Sequence, residues 1–377
     1  MRFSMPFLEK VSAREELCRL ARSSGSNRRE LCRRFKISPM TLYKWLDRYG
    51  TAGPSGLEER SRRPAHSPWR TDAAMEAAVL SIRHDNPVWG GRKIAARLRR
   101  QGQSPPSPST ITAILRRHGE PLTAGQGARP WKRFEHTKPN ALWQMDFKGH
   151  VALQVGRLHP LTVVDDHSRY AVVLHAADNE RTATVRNALQ GAFERYGLPF
   201  AIQTDNGSPW GDTAEQWLTK LGVWLIEHGV DPWHTEPAHP QSNGKNERFN
   251  RTLKAELLDG RVFRDLDEAQ PVFDDWRHRY NHHRPHDAIG LAVPADRYSA
   301  SPRAFREAVE PFDYAPADIV RSVDINGHIG FKNHSIKISR ALIGKRIALR
   351  PTDQDGVFDL VFRHVTVRSI DLTHKLT

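Results

Sequence analysis

Residues 141–177, ALWQMDFKGHVALQVGRLHPLTVVDDHSRYAVVLHAA, decide the fold. Three runs within them, ALWQMDF, LHPLTVVD and RYAVVLHA, are dominated by aliphatic, aromatic and β-branched residues and bounded by Gly, Asp, His and Ser, so each predicts a strand. Toward the C-terminus, 181–196 carries helical spacing and ends at Gly197. PFAIQT (199–204) predicts a strand that stops at Asp205, followed by a helix near 212–221 and a strand at VWLIEH. After a loop rich in Pro and His (229–240), a long helix is expected from about 243 to 258 and another over 267–281. Consecutive strands followed by helix–strand units predict a mixed sheet flanked by helices over 140–300. Residues 318–377 are strand-rich (DIVRSVDI, HIGFKN, HSIKIS, KRIALRPT, GVFDLVF) and predict a small β-barrel.

Toward the N-terminus the pattern is helical. Residues 12–23 and 27–35 have apolar positions at helical spacing, and Ser38 can cap a helix with Pro39 at its first position that runs to Gly50. Two helices, a tight turn and a capped third helix form a helix-turn-helix pattern over 1–52. Residues 71–120 repeat it: Thr71 can cap a helix, GRKIAARLRRQ is a basic helix, and Ser107-Pro108 opens another. SPMTLYKWLDRYG (38–50) and SPSTITAILRRHG (107–119) agree at six of thirteen positions, with Leu42/Ile111 and Trp45/Ile114 also apolar in both. Stretches rich in Gly, Pro, Ser and Arg at 53–70 and 121–139 read as linkers. The chain is thus multi-domain.

Charge follows this division. The net formal charge is +14, yet residues 1–140 hold 28 Lys/Arg against 12 Asp/Glu, and the other 237 hold 29 against 31. Basic excess confined to the helical N-terminal third favours a polyanionic partner, because each neutralised phosphate releases counterions. On the capped helices, Thr41, Lys44 and Arg48, and Thr110, Arg116 and Arg117, are expected to face double-stranded DNA. No apolar run is long enough to span a bilayer, so no membrane role is expected. Only Cys18 and Cys32 occur, so a reducing, cytoplasmic setting is the default.

Three acids stand out by position. Asp146 is mid-strand, where an unpaired charge is costly unless it binds something. Asp205 ends a strand, where open α/β sheets place ligands. Glu247 lies on the helix behind the Gly-containing loop in HPQSNGKNERFNRTLKAE (239–256), with Arg251 and Lys254 on its face at i+4 and i+7. Lys245 and Asn243 are expected to reach the same DNA. Carboxylates from three elements can converge on hard divalent cations. Asp165-Asp166 reads instead as a structural turn, and Tyr280, Asn281, Arg284 and His286 as braces for the catalytic helix.

WQMDFKG, PLTVVDDHSRY, QTDNGSPW, HPQSNGKNERFNRTLKAE and YNHHRPHDAIG (280–290) resemble, in order, the core of DDE-type insertion-sequence transposases with a retroviral-integrase-like catalytic core. The resemblance implies a ribonuclease-H-like α/β fold. It also implies that Asp146, Asp205 and Glu247 hold two Mg2+ or Mn2+ ions and that Arg251 and Lys254 touch the transposon end. Forty-one residues separate Asp205 from Glu247, a little more than in many relatives. The zinc-binding His-His-Cys-Cys module of retroviral integrases is absent. Cleavage at transposon terminal inverted repeats, strand transfer into target DNA, a homodimer or larger assembly on DNA, and a bacterial, nucleoid-associated location follow from the same resemblance. A DNA-binding regulator with a retired core and a ribonuclease-H-like nuclease are the alternatives. The intact acids weigh against the first, and the duplex-reading modules against the second.

Overall fold

The computed structural model describes residues 11–59, 70–121, 135–207, 209–211, 218–234 and 244–373. The chain divides into two compact units, 1–70 and 71–377.

The first unit is built from α1 (Val11–Arg22), α2 (Arg28–Arg34) and α3 (Pro39–Ala52). Leu17, Cys18, Cys32, Phe35, Leu42 and Trp45 are buried within it, and both cysteines are free. Its core runs past the expected start of the linker at 53. A 3-10 turn, Gly53–Leu57, places the fully buried Leu57 against Cys18 and Trp45. Arg14, itself buried, locks this return by donating to the Leu57 carbonyl at 2.7 Å and to Glu59 at 2.7 Å.

The second unit opens with the repeated module, α4 (Ala73–Asp85), α5 (Gly91–Arg100) and α6 (Pro108–Arg117). The cap of α4 is Asp72, which accepts from the Met75 amide at 2.7 Å, and not Thr71 as the sequence suggested. A carboxylate there also suits the positive end of the helix. The repeat holds at atomic detail. Ser38 and Ser107 accept from the amides of Thr41 and Thr110 at 3.1 and 3.2 Å, and Leu42/Ile111 and Trp45/Ile114 are buried. Gly91 allows α5 to meet α6 closely: a Cβ there would lie 2.3 Å from the Pro108 carbonyl oxygen.

The six-stranded sheet contains β1 (Leu142–Phe147), β2 (Val151–Ala152), β3 (Arg157–Asp165), β4 (Ala171–Ala177), β5 (Ala201–Thr204) and β6 (Asp231–His234). β4, β3 and β1 run antiparallel, β5 and β6 continue parallel to β1, and β2 is a short ladder on the start of β3. This is the expected ribonuclease-H-like arrangement. α7 (Thr182–Tyr196) and α8 (Lys220–Glu227) cover one face, where Trp143, Met145, Val163 and Ile202 are buried. α9 (Gly244–Leu253) and α10 (Leu266–His282) cover the other, over Val164, Ala171 and Leu174.

VWLIEH is not a strand: its first five residues belong to α8, and β6 is the following Asp231–His234. The reason is double burial. Leu221, Trp224 and Leu225 pack into the core beneath the six-stranded sheet, whereas Val223 and Ile226 join the core of the C-terminal domain. A helix apolar all round loses its 3.6-residue signature and reads like a buried strand.

The C-terminal β domain has a sheet of order β12-β11-β10-β7 and a hairpin, β8 (His328–Phe331) with β9 (His334–Lys337). The sheet strands are β7 (Ile319–Ser322), β10 (Arg346–Pro351), β11 (Val357–Phe362) and β12 (Val365–Asp371). Both sheets enclose one core that includes Ile329, Phe331, Ile347, Leu349, Phe358 and Leu360. β12 had gone unremarked in the sequence. No helix among the described residues is long and apolar enough to cross a membrane.

Candidate active site

Asp146, Asp205 and Glu247 come from β1, the end of β5 and α9. β1 and β5 are parallel neighbours with Gln144 opposite Gln203, so residues two farther along, Asp146 and Asp205, emerge on the same face. α9 lies across that face. Its inner side presents Asn246, Phe249, Asn250 and Leu253, an i, i+3, i+4, i+7 stripe, all buried. Two asparagines in such a stripe need partners, and the strands supply them. The Asn246 amide side chain donates to the Gln144 carbonyl at 2.9 Å and accepts from the Thr162 hydroxyl at 2.9 Å, while its backbone N–H donates to the Gln144 side chain at 3.1 Å. Asn250 Nδ2 donates to Asp146 Oδ2 at 2.9 Å. This stitching fixes the helix that carries Glu247, and sequence reading missed it. The available signal was a pair of asparagines at i, i+4 on the helix's apolar side.

The three acids share one electrostatic environment. Burial pushes the Asp146 carboxyl up to about 7, and the neighbouring Asp205 and then Glu247 carboxylates add to it, with Lys148 a weaker opposing charge. Asp205 is exposed and accepts from the Gly207 amide at 3.0 Å, and Glu247 is exposed on the outer face of α9. Among the described residues no trio of His, Cys, Asp or Glu stands ready around a single point. The donor set nonetheless fits hard cations: three carboxylates on separate elements, one resisting ionisation through burial and its two acidic neighbours.

Arg251 and Lys254 lie exposed on the side of α9 that carries Glu247. Lys254 opens a π-helical turn, Lys254–Leu258, closed by the Asp259 amide on the Lys254 carbonyl at 2.8 Å. The wide turn buries both Leu257 and Leu258 and brings Glu256 to Arg284 at 2.8 Å, a largely buried pair. Tyr280 stands edge-on to Phe249 of α9 at 4.9 Å and His286 edge-on to Tyr280 at 4.6 Å, while Arg284 holds the turn that follows α9. Asn281 braces β4 instead, exchanging two hydrogen bonds with the Ala171 backbone at 2.8 and 3.0 Å.

Two residues expected to contact DNA are paired with acids, Lys245 from a half-buried position and Arg117 from an exposed one. Lys245 pairs with the fully buried Asp166, and Arg117 pairs with the buried Glu76 at 2.5 Å. Thr41 and Thr110 share hydrogen bonds with the capping serines at 2.8 and 2.9 Å, and Arg48 lies over the Trp45 ring. Lys44 and Arg116 are exposed. The basic helix α5 spends much of its charge within the chain. Arg100 holds Asp296 through two bonds of 2.7 and 2.8 Å, Arg92 lies 3.1 Å from Asp287, and Arg97 lies 3.3 Å from His283. Asn243, also expected to reach DNA, lies outside the described residues.

Comparison with known proteins accords with these parts. Two "Integrase core domain" families match residues 136–240 and 228–294. A "Helix-turn-helix domain" matches 13–65, a "Homeodomain-like domain" 41–115, and the "IS481 family transposase, C-terminal domain" 318–377. The 39.2 kDa protein of insertion element IS476 from Xanthomonas euvesicatoria is 30% identical over 250 residues, covering 64% of this chain and 69% of its own. The 31.7 kDa protein of insertion element IS407 from Burkholderia multivorans is 26% identical over 255 residues, covering 65% of this chain and 87% of its own. Among solved structures, the HTLV-2 integrase catalytic core domain in complex with magnesium aligns over 43% of this chain and 97% of that one, at 19% identity and a TM-score of 0.33. The chain belongs to the insertion-sequence transposases that join helix-turn-helix DNA-binding modules to an integrase-type, polynucleotidyl-transferase core.

Proposed function

We propose that this chain is an active DDE transposase of the bacterial cytoplasm. It binds the terminal inverted repeats of its element, cleaves a strand at the element's end, and joins the freed 3′-hydroxyl to target DNA. The observation that carries this reading is the register that puts Asp146 and Asp205 on the one sheet face to which Asn246 and Asn250 fix the helix of Glu247; burial and both acidic neighbours hold the Asp146 carboxyl up to about 7. Such a site calls for positive charge, and two Mg2+ or Mn2+ ions held by Asp146, Asp205 and Glu247 would supply it. Held by these three carboxylates, such ions would supply the positive charge that an in-line displacement at phosphorus needs.

The chain's own residues do the positioning. Asn250 orients the Asp146 carboxyl, the Gly207 amide orients Asp205, and Asn246 anchors the helix bearing Glu247. Arg251 and Lys254 engage phosphates of the transposon end. Thr41, Lys44, Arg48, Thr110 and Arg116 are the contacts proposed for the modules. Lys245 and Arg117 are left out of that set because Asp166 and Glu76 hold them. Hydrolysis and strand transfer are both displacements at phosphorus, so one site serves both. Bringing two ends together requires at least two copies of the chain.

A nicking assay on a terminal-repeat duplex with Mg2+ tests the reading. Asp146→Asn, Asp205→Asn and Glu247→Gln should each lower cleavage by at least roughly a thousandfold and change end binding by less than about twofold. Full cleavage by any one variant would remove that residue from the site.

A further inference from the structure

Trp233 is 43% exposed on the edge strand β6. In the sheet it stands opposite Gln203, which stands opposite Gln144. Registered residues of parallel strands share a face, so Trp233, Gln203 and Gln144 form one row across the side of the sheet that carries the acids. Asp205 and Asp146 occupy the next row. With a rise of about 3.3 Å per residue and a strand spacing of about 4.8 Å, the Cα atoms of Trp233 and Asp205 lie roughly 8 Å apart.

The indole is also held in place. The His136 ring props it at 6.2 Å with a 44° tilt, and His136 is itself fixed by its amide donating to Asp166 at 2.8 Å. The next residue, His234, lies 3.2 Å from the Asp205 carbonyl oxygen, which ties the end of β6 to the acid. The same-face neighbours of Trp233 across the sheet are buried glutamines, not an apolar core.

We propose that Trp233 is a stacking platform for an unpaired nucleobase of the strand whose phosphate the three acids engage. The identity of that strand rests on the transposase reading above. An attack on a phosphodiester near a duplex end is easier once the adjacent pair has opened, and an aromatic face offsets the lost base stacking. The indole offers a π-face and a single N–H donor, so the platform tolerates any base. A purely structural tryptophan shielding a sheet edge would contribute to stability and nothing else.

The test uses the full chain without divalent metal and a forked duplex of mixed sequence carrying 2-aminopurine at single positions of its unpaired arms. Bound wild-type protein should quench one or two adjacent positions several-fold. Trp233→Ala and Trp233→Leu should lose the quench, and Trp233→Phe should keep part of it. Affinity for the fork should fall by roughly 5- to 50-fold in Trp233→Ala, with fully paired duplex changing less than about twofold. Equal quenching by wild type and Trp233→Leu at every position overturns the proposal, and the apolar leucine guards against a folding defect. Stacking that persists in a wild-type chain unable to nick with Mg2+ would count against the transposase reading alone.

Discussion

Two groups of carboxylates flank the same strands and differ in what surrounds them. Asp165 and Asp166, at the end of β3, are fully buried and heavily bonded. Asp165 accepts from the Asn140 amide at 2.7 Å and from the Ser168 amide and hydroxyl at 2.8 and 2.6 Å. Asp166 accepts from the His136 amide at 2.8 Å and pairs with Lys245. The Asp146 carboxyl feels the charges of Asp205 and Glu247, and Asn250 and the Gly207 amide are donors to the two aspartates. A carboxylate surrounded by donors is part of the framework. One raised by burial and by neighbouring carboxylates is the kind on which the proposed cation site rests.

The framework pair should respond first and most in stability. Asp165→Ala would strand the Asn140 and Ser168 donors in the interior, and we expect a loss of roughly 3–5 kcal/mol in urea unfolding. A loss below about 1 kcal/mol would show that the turn tolerates the vacancy and erase the contrast.

The triad should respond with the opposite sign. The folded pKa of Asp146 lies above its unfolded value, so its protonated form is favoured by folding. Stability from this group is complete below about pH 4 and is lost as pH rises toward 7, where the buried carboxyl ionises. Asp146→Asn should therefore stabilise the metal-free chain at pH 8, by about 1–2 kcal/mol after allowance for partial solvent access. The gain should vanish near pH 4. A variant destabilised at pH 8 would place Asp146 with the framework acids.

The smallest stability effect belongs to Lys254. On the exposed side of α9, Lys254→Glu should change stability by under about 0.5 kcal/mol. It should still weaken engagement of a terminal-repeat duplex by roughly three- to tenfold, since a carboxylate would face phosphate. Unchanged binding in a filter or anisotropy assay would return this residue to the solvated surface.

Much of this contrast could be read from residue order, because strand periodicity and helix spacing are local. Asp146 mid-strand, Asp205 at a strand end and Glu247 in phase with Arg251 all follow from periods of 2 and 3.6. The capped repeats at Ser38 and Ser107 were equally legible, because a capping hydroxyl acts within three residues. What sequence could not give depends on distant partners. α8 looked like a strand because the C-terminal domain buries its second face. Lys245 and Arg117 looked like DNA contacts, yet Asp166 and Glu76, 79 and 41 residues away, hold them. The Asn246 bonds to Gln144, and the approach of Arg100 to Asp296, likewise span long separations that no local pattern records.

Direct measurement of metal binding tests the central claim, that Asp146, Asp205 and Glu247 form a cation site while the adjacent Asp165 and Asp166 do not. Mn2+ binding to the full chain can be followed at pH 8 by electron paramagnetic resonance. Wild type should bind, and Asp146→Asn, Asp205→Asn and Glu247→Gln should each weaken binding by at least roughly tenfold. Asp166→Asn, checked for retained fold, should bind as wild type does. Mn2+ affinity unchanged in Asp146→Asn, or lost in Asp166→Asn with the fold intact, would contradict the account.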